Sequence, residues 1–146
     1  MNKNSLPKDP IYSEEAFQII MDHEILRAIR YPSPISLIYL EMTPHTSDEK
    51  TPESASSIFE TTINSYLRSV DIPVHYGTGY LILLPSTNEA GARAVCKRLL
   101  TIFEKEFKTE EGKTVKFSLK IGVASHEGGP TLMKETLIKT AETNFL

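Results

Sequence analysis

The chain has 146 residues, 40% of them apolar and 24% charged, which is the make-up of one ordinary globular domain and excludes a disordered chain. A net charge of −3 lacks the basic footprint of a phosphate-backbone binder, so no nucleic-acid partner is expected. Cys96 is the only cysteine, so no intrachain disulfide can form, and a reducing cytoplasm is the expected compartment.

The opening Met1-Asn2-Lys3-Asn4-Ser5 has no apolar run behind it, and nothing downstream approaches the ~20 apolar residues that span a bilayer. No signal peptide and no membrane insertion are expected. Residues 1–12 read as a lead-in and 13–146 as one domain.

Ser13 is placed to cap a first helix, with Glu14 and Glu15 in its first turn complementing the helix dipole. Phe17, Ile20, Met21, Ile25, Ala28 and Ile29 recur at helical spacing, and Pro32 and Pro34 stop the helix. Ile35 to Met42 is an apolar run bounded by proline, the pattern of a central strand. Thr43 to Pro52 reads as a loop. Thr51-Pro52 then predicts an N-cap and first helical residue, with Phe59, Ile63, Tyr66, Leu67 and Val70 on one face of a second helix.

Val74-His75-Tyr76 and Tyr80 to Pro85 flank Gly77-Thr78-Gly79, which predicts a β-hairpin with Tyr76 and Tyr80 as a cross-strand aromatic pair. Thr87 is the expected cap of a third helix reaching Lys108, with Ala92, Val95, Leu99, Ile102 and Phe103 facing inward. Cys96 falls on the same apolar stretch and is expected to be a buried, inert thiol. After a turn at Glu110 to Lys113, Val115, Phe117, Leu119, Ile121 and Val123 alternate with polar residues as in a half-buried strand. Leu132 to Asn144 reads as a last helix. The inner β-α-β-β-α-β order predicts an α+β fold of the ferredoxin-like or palm type, one antiparallel sheet with flanking helices.

Several fragments, taken in order, resemble one family. Asp9-Pro10-Ile11 to Phe17, Arg27-Ala28-x-Arg30, Pro34-Ile35-Ser36-Leu37-Ile38, His75 to Pro85 and Ile121-Gly122-Val123-Ala124 are similar to successive segments of the GGDEF domains, which make or sense cyclic di-GMP. The resemblance implies their fold. It also marks Gly77, Thr78, Gly79, Tyr80 and Leu81 as a degenerate form of the signature Gly-Gly-Asp-Glu-Phe hairpin.

An active member joins two GTP molecules with two Mg²⁺ ions held between close carboxylates. The resemblance leaves Glu41 as the one acidic residue at the metal position, a vestigial candidate, because Thr78, Gly79 and Tyr80 carry no carboxylate. Pro44-His45-Thr46-Ser47-Asp48 replaces the residues that read guanine. The Gly-His-x-x-Gly-Asp segment is absent, and the phosphate-binding Ala-Lys segment has no counterpart before Leu146. The expectation is a non-catalytic domain without metal or cofactor.

One ligand feature persists in the resemblance. Arg68-Ser69-Val70-Asp71 matches the Arg-x-x-Asp that binds cyclic di-GMP in product-inhibited members, and Arg98 matches a second ligand arginine. A guanidinium suits this task, since its planar fork grips phosphate with two hydrogen bonds and stacks on guanine. The reading is a cyclic di-GMP receptor working through Arg68, Asp71 and Arg98. The alternative is a nucleotide-independent interaction or dimerisation module of a bacterial signalling protein, paired with a protein partner, a fused domain or a second copy of itself. The histidines His23, His45, His75 and His126 have no metal-ligand spacing.

Overall fold

The computed structural model describes residues 11–46 and 52–146. Four helices and five strands follow in the order α1 (Glu14–Arg30), β1 (Ile35–Thr46), α2 (Pro52–Tyr66), β2 (Ile72–Tyr76), β3 (Gly79–Pro85), α3 (Glu89–Ile102), β4 (Phe107–Lys108), β5 (Thr114–His126) and α4 (Lys134–Thr143). The strands form one antiparallel sheet in the order β2-β3-β1-β5-β4. This is the expected β-α-β-β-α-β sheet with one short edge strand, β4, that the sequence reading left inside the third helix.

The apolar runs of β1 and β3 follow from burial on both faces. Ile38, Leu40, Tyr80, Ile82 and Leu84 face α2 and α3, where they meet Phe59, Ile63, Ala92, Cys96 and Leu99. Leu37, Tyr39, Leu81 and Leu83 face the other way, onto Phe17, Met21 and Ile25 of α1 and Leu137 and Ala141 of α4. The domain is thus three layers, α2/α3 on one side of the sheet and α1/α4 on the other.

The helix ends correct several local expectations. Ser13 caps α1 as expected, its Oγ accepting from the Ala16 N–H at 3.2 Å. The cap of α3 is Asn88, whose side chain accepts from the Gly91 N–H at 2.9 Å, and not Thr87. Thr87 is instead bonded to the Pro85 carbonyl. Helix α3 stops at Ile102, six residues before the expected Lys108, because Phe107 and Lys108 pair with Val115 and Thr114. Helix α2 ends at Tyr66, so Val70 lies beyond it and is 53% exposed, and Tyr66 is exposed as well; neither joins the core face with Phe59 and Ile63. Thr51 lies outside the described residues.

Strand β1 runs to Thr46, past the start of the expected loop. Pro44 is tolerated because β3 pairs with β1 only as far as Leu40, so beyond that point β1 bonds to β5 alone and has an open side for a residue without an N–H. The hairpin forms, but Tyr76 and Tyr80 are not partners. Tyr80 pairs with His75 and Tyr76 with Gly79, so the two tyrosines fall on opposite faces. Tyr76 packs edge-on against Tyr39, and Tyr80 stacks obliquely on Phe59. Tyr12, from the expected lead-in, bridges Val74 in parallel.

Cys96 is fully buried, and burial pushes its thiol up to about 11. The native state therefore holds a proton that the unfolded chain releases, so this group's contribution to stability falls as pH rises from about 9 to about 11 and is constant below that window. Native protein at pH 8 should react with an aromatic disulfide reagent only after denaturant is added. Stoichiometric reaction of the folded chain within seconds would contradict this.

Candidate functional site

Residues 67–71 carry the chain from α2 to β2, and the Arg-x-x-Asp segment closes that corner with its own hydrogen bonds. The Asp71 N–H donates to the Arg68 carbonyl at 3.0 Å, while the Arg68 N–H donates back to Asp71 Oδ2 at 2.8 Å. The guanidinium then folds over the same carboxylate, with Nη2 donating to Oδ1 at 2.7 Å and Nε at 3.2 Å from both oxygens. Nη2 also reaches the Pro85 carbonyl at 3.1 Å and Thr87 Oγ1 at 2.8 Å. Arg68 thereby ties the α2–β2 corner to the β3–α3 corner.

The two partners differ in exposure. The Asp71 side chain is 2% exposed and the Arg68 side chain 53%. The hydrogen bond that it donates to Asp71 raises the guanidinium's already high pKa, so Arg68 is a permanent cation at the surface. Beside it lies an open cavity of about 390 Å³ whose walls include Arg68, Asp71, Thr87, Asn88, Gly91 and Arg98. Arg98 comes from the exposed face of α3. The three residues singled out in the sequence therefore border one cavity, which spans the N-terminus of α3 and carries two guanidinium groups. Such a concavity suits an anion with a planar body.

Gly77 and Thr78 form the turn between β2 and β3, and Gly77 has φ +57°, a left-handed conformation that glycine adopts at low cost. Gly79 has a different reason to be glycine. A Cβ there would stand 2.3 Å from the Leu40 carbonyl oxygen and 3.5 Å from Glu41 Cγ. The hairpin tip is therefore pressed against the place where β1 parts from β3, with Glu41 alongside. Glu41 accepts a 2.6 Å hydrogen bond from Tyr39 Oη. Burial and this carboxylate together push the Tyr39 hydroxyl up to about 12. Among the described residues no group of three His, Cys, Asp or Glu side chains converges to hold a metal ion. Tyr80 and Leu81, which stand where the signature ends, are both buried in the two apolar layers.

Sequence reading missed Glu60. It accepts from Tyr80 Oη at 2.7 Å and lies 3.7 Å from His75 Nε2. The signal was weak, a single acidic residue whose one-turn neighbours on α2, Ser56, Ser57, Ile63 and Asn64, carry no charge.

No protein-family model matches the chain, and no curated protein matches it by sequence. Solved structures do. The GGDEF domain of FimX from Pseudomonas aeruginosa superposes with a TM-score of 0.71 at 19% identity, covering 93% of this chain and 89% of that one. The GGDEF domain of DgcB from Caulobacter crescentus, solved with cyclic di-GMP, gives 0.74 at 12% identity over 94% and 86% of the two chains. The chain has the fold of a GGDEF domain. An active GGEEF domain of a diguanylate cyclase from Vibrio cholerae shares this GGDEF fold with a TM-score of 0.71, at 13% identity over 91% and 87% of the chains. At these identities the likeness is one of fold. Within the GGDEF fold, the Arg68 cavity lies on the α2/α3 side and the hairpin tip at the far end of β3. Among the described residues, no helix of this GGDEF-fold chain is long and apolar enough to cross a membrane.

Proposed function

We propose that this domain is a non-catalytic receptor for cyclic di-GMP, with Arg68, Asp71 and Arg98 as the ligand-binding residues. The observation that supports it most is the meeting of Arg68 and Arg98 at one open cavity, on a fold shared with a domain solved with that ligand. Arg68 would exchange the Asp71 carboxylate for a phosphate or guanine edge of the ligand, which leaves Asp71 to accept from a guanine edge. Arg98 would close the site from α3. The absence of catalysis rests on the hairpin: Thr78, Gly79 and Tyr80 offer no carboxylate beside Glu41, and one carboxylate does not clamp two divalent ions.

Calorimetric titration of the folded chain with cyclic di-GMP tests the reading. Binding is expected, weakening as salt rises because an anion is being neutralised. A charge-assisted hydrogen bond is worth about 1.5–3 kcal/mol, so Arg68→Ala should bind roughly tenfold to a hundredfold more weakly. Arg68→Lys should recover little, since a point charge does not replace a planar fork. Because Arg68 also holds the corner of the fold, Arg98→Ala is the cleaner variant and should weaken binding without loss of stability. No heat at two temperatures, or unchanged affinity in both alanine variants, would sink the receptor reading. Product formed from GTP with Mg²⁺ or Mn²⁺, and lost in Glu41→Ala, would sink the non-catalytic one.

A second reading has its own support. The bonds between Arg68 and Asp71 give that motif a structural task that needs no ligand. A nucleotide-independent interaction domain is then the function, and a flat thermal shift with cyclic di-GMP favours it. A bound ligand at ~100 times its dissociation constant would add about 2.7 kcal/mol of stability.

A further inference from the structure

Helix α1 buries Phe17, Met21, Ile25 and Ala28 against the sheet. Its opposite face carries two large apolar residues among charged ones. Ile19 and Leu26 are 70% and 67% exposed, stand two turns apart on one stripe, and are flanked by exposed Glu15 toward the N-terminus and exposed Arg30 toward the C-terminus. Leu26 and Arg30 also border a shallow groove of about 590 Å³ that continues to Tyr31, itself exposed.

The stripe is symmetric about its own midpoint, between Asp22 and His23. Ile19 lies as far to one side as Leu26 does to the other, and Glu15 as far as Arg30. We infer that this face binds a second copy of the chain, α1 against α1, antiparallel about a two-fold axis at that midpoint. Such an axis puts Ile19 against the partner's Leu26 and Glu15 opposite the partner's Arg30, twice over, because a two-fold interface is self-complementary. A parallel pair would set Glu15 against Glu15 and Arg30 against Arg30, which like-charge repulsion disfavours. Antiparallel helices also oppose their dipoles favourably. Asp22 and His23 flank the axis, and Asp22 is already paired with Lys134 Nζ at 2.7 Å, so no unpaired acid is trapped at the centre.

This interface lies on the α1/α4 side of the sheet, away from the α2/α3 layer that carries the Arg68 cavity, so it stands or falls separately from the receptor reading. Sedimentation equilibrium should show a concentration-dependent dimer. Leu26→Asp should raise its dissociation constant at least about tenfold, the effect of ~1.4 kcal/mol. Glu15→Arg and Arg30→Glu should each weaken it, and the doubly reversed chain should regain the lost affinity, because the pair is restored across the axis. All these residues are exposed, so the variants should keep the wild-type fold by circular dichroism. Orientation is read by mixing Ile19→Cys and Leu26→Cys chains with a short bis-maleimide; buried Cys96 stays silent. Cross-linking between the two variants is expected. A chain that stays monomeric at every concentration, an α1 face that captures a different protein instead, a double reversal that rescues nothing, or Ile19→Cys chains that link chiefly to each other would overturn the proposal.

Discussion

Replacing Phe59 with alanine should cost about 3–5 kcal/mol, a large share of the stability of a domain this size. Phe59 is fully buried on the inner face of α2. Its ring lies 4.7 Å from that of Phe103, 5.3 Å from Tyr80 and 5.5 Å from Phe117, so it touches α2's neighbours on both the hairpin and β5. Truncation removes a large apolar surface and three oblique ring contacts at once, and the surrounding sheet holds the cavity open. Phe59→Leu keeps most of the volume and should cost under about half as much. Urea unfolding followed by circular dichroism would measure both. A midpoint shift for Phe59→Ala worth less than ~1 kcal/mol would mean that this cluster is not the centre of the fold.

Gly79→Ala should also be strongly damaging, at about 3 kcal/mol, near the top of the range for overpacking. The added methyl meets the Leu40 carbonyl, a backbone atom of the central strand that cannot turn aside as a side chain would. Gly77→Ala should cost less, about 1–2 kcal/mol, because a Cβ there meets nothing within 4 Å and only the left-handed φ resists it. The two glycines of one turn thus have separate jobs, one of space and one of conformation. Equal costs in parallel unfolding measurements would refute that division.

That division bears on why the hairpin was legible. Glycine at 77 and 79 is required by the backbone whether or not the turn carries carboxylates, so the turn is readable even where Thr78 and Tyr80 depart from the signature. The continuous apolar runs of β1 and β3 were equally legible, since a strand buried on both faces has no polar side to confuse the pattern. Short pairings were not. Phe107-Lys108 continues the helical pattern of α3, and only its hydrogen bonds with Val115 and Thr114 make it a strand. Thr87 and Asn88 are both good capping residues, and the choice between them was made by the bonds of Thr87 to Pro85 and Arg68. The register of Tyr76 and Tyr80 needed the turn to be counted as two residues, Gly77-Thr78; one residue of slip moves a side chain to the other face. At the candidate site, the sequence named Arg68, Asp71 and Arg98, but local spacing could not say that Arg68 already holds Asp71.

The far edge of the sheet has a consequence of another kind. Strand β4 covers only the start of β5, and farther along the outer side of β5 is met by Asn144 to Leu146. The Val123 N–H donates to the Asn144 carbonyl at 3.2 Å, and the Leu146 N–H to the Ile121 carbonyl at 2.9 Å. Asn144 Nδ2 adds a bond to the Val123 carbonyl at 2.9 Å. These few residues occupy backbone groups that would otherwise be a template for a stray strand, in a stretch reading Ile121-Gly122-Val123-Ala124 with no charge to repel one. Three residues with little share in the core therefore shield this stretch of the sheet edge from pairing with another chain.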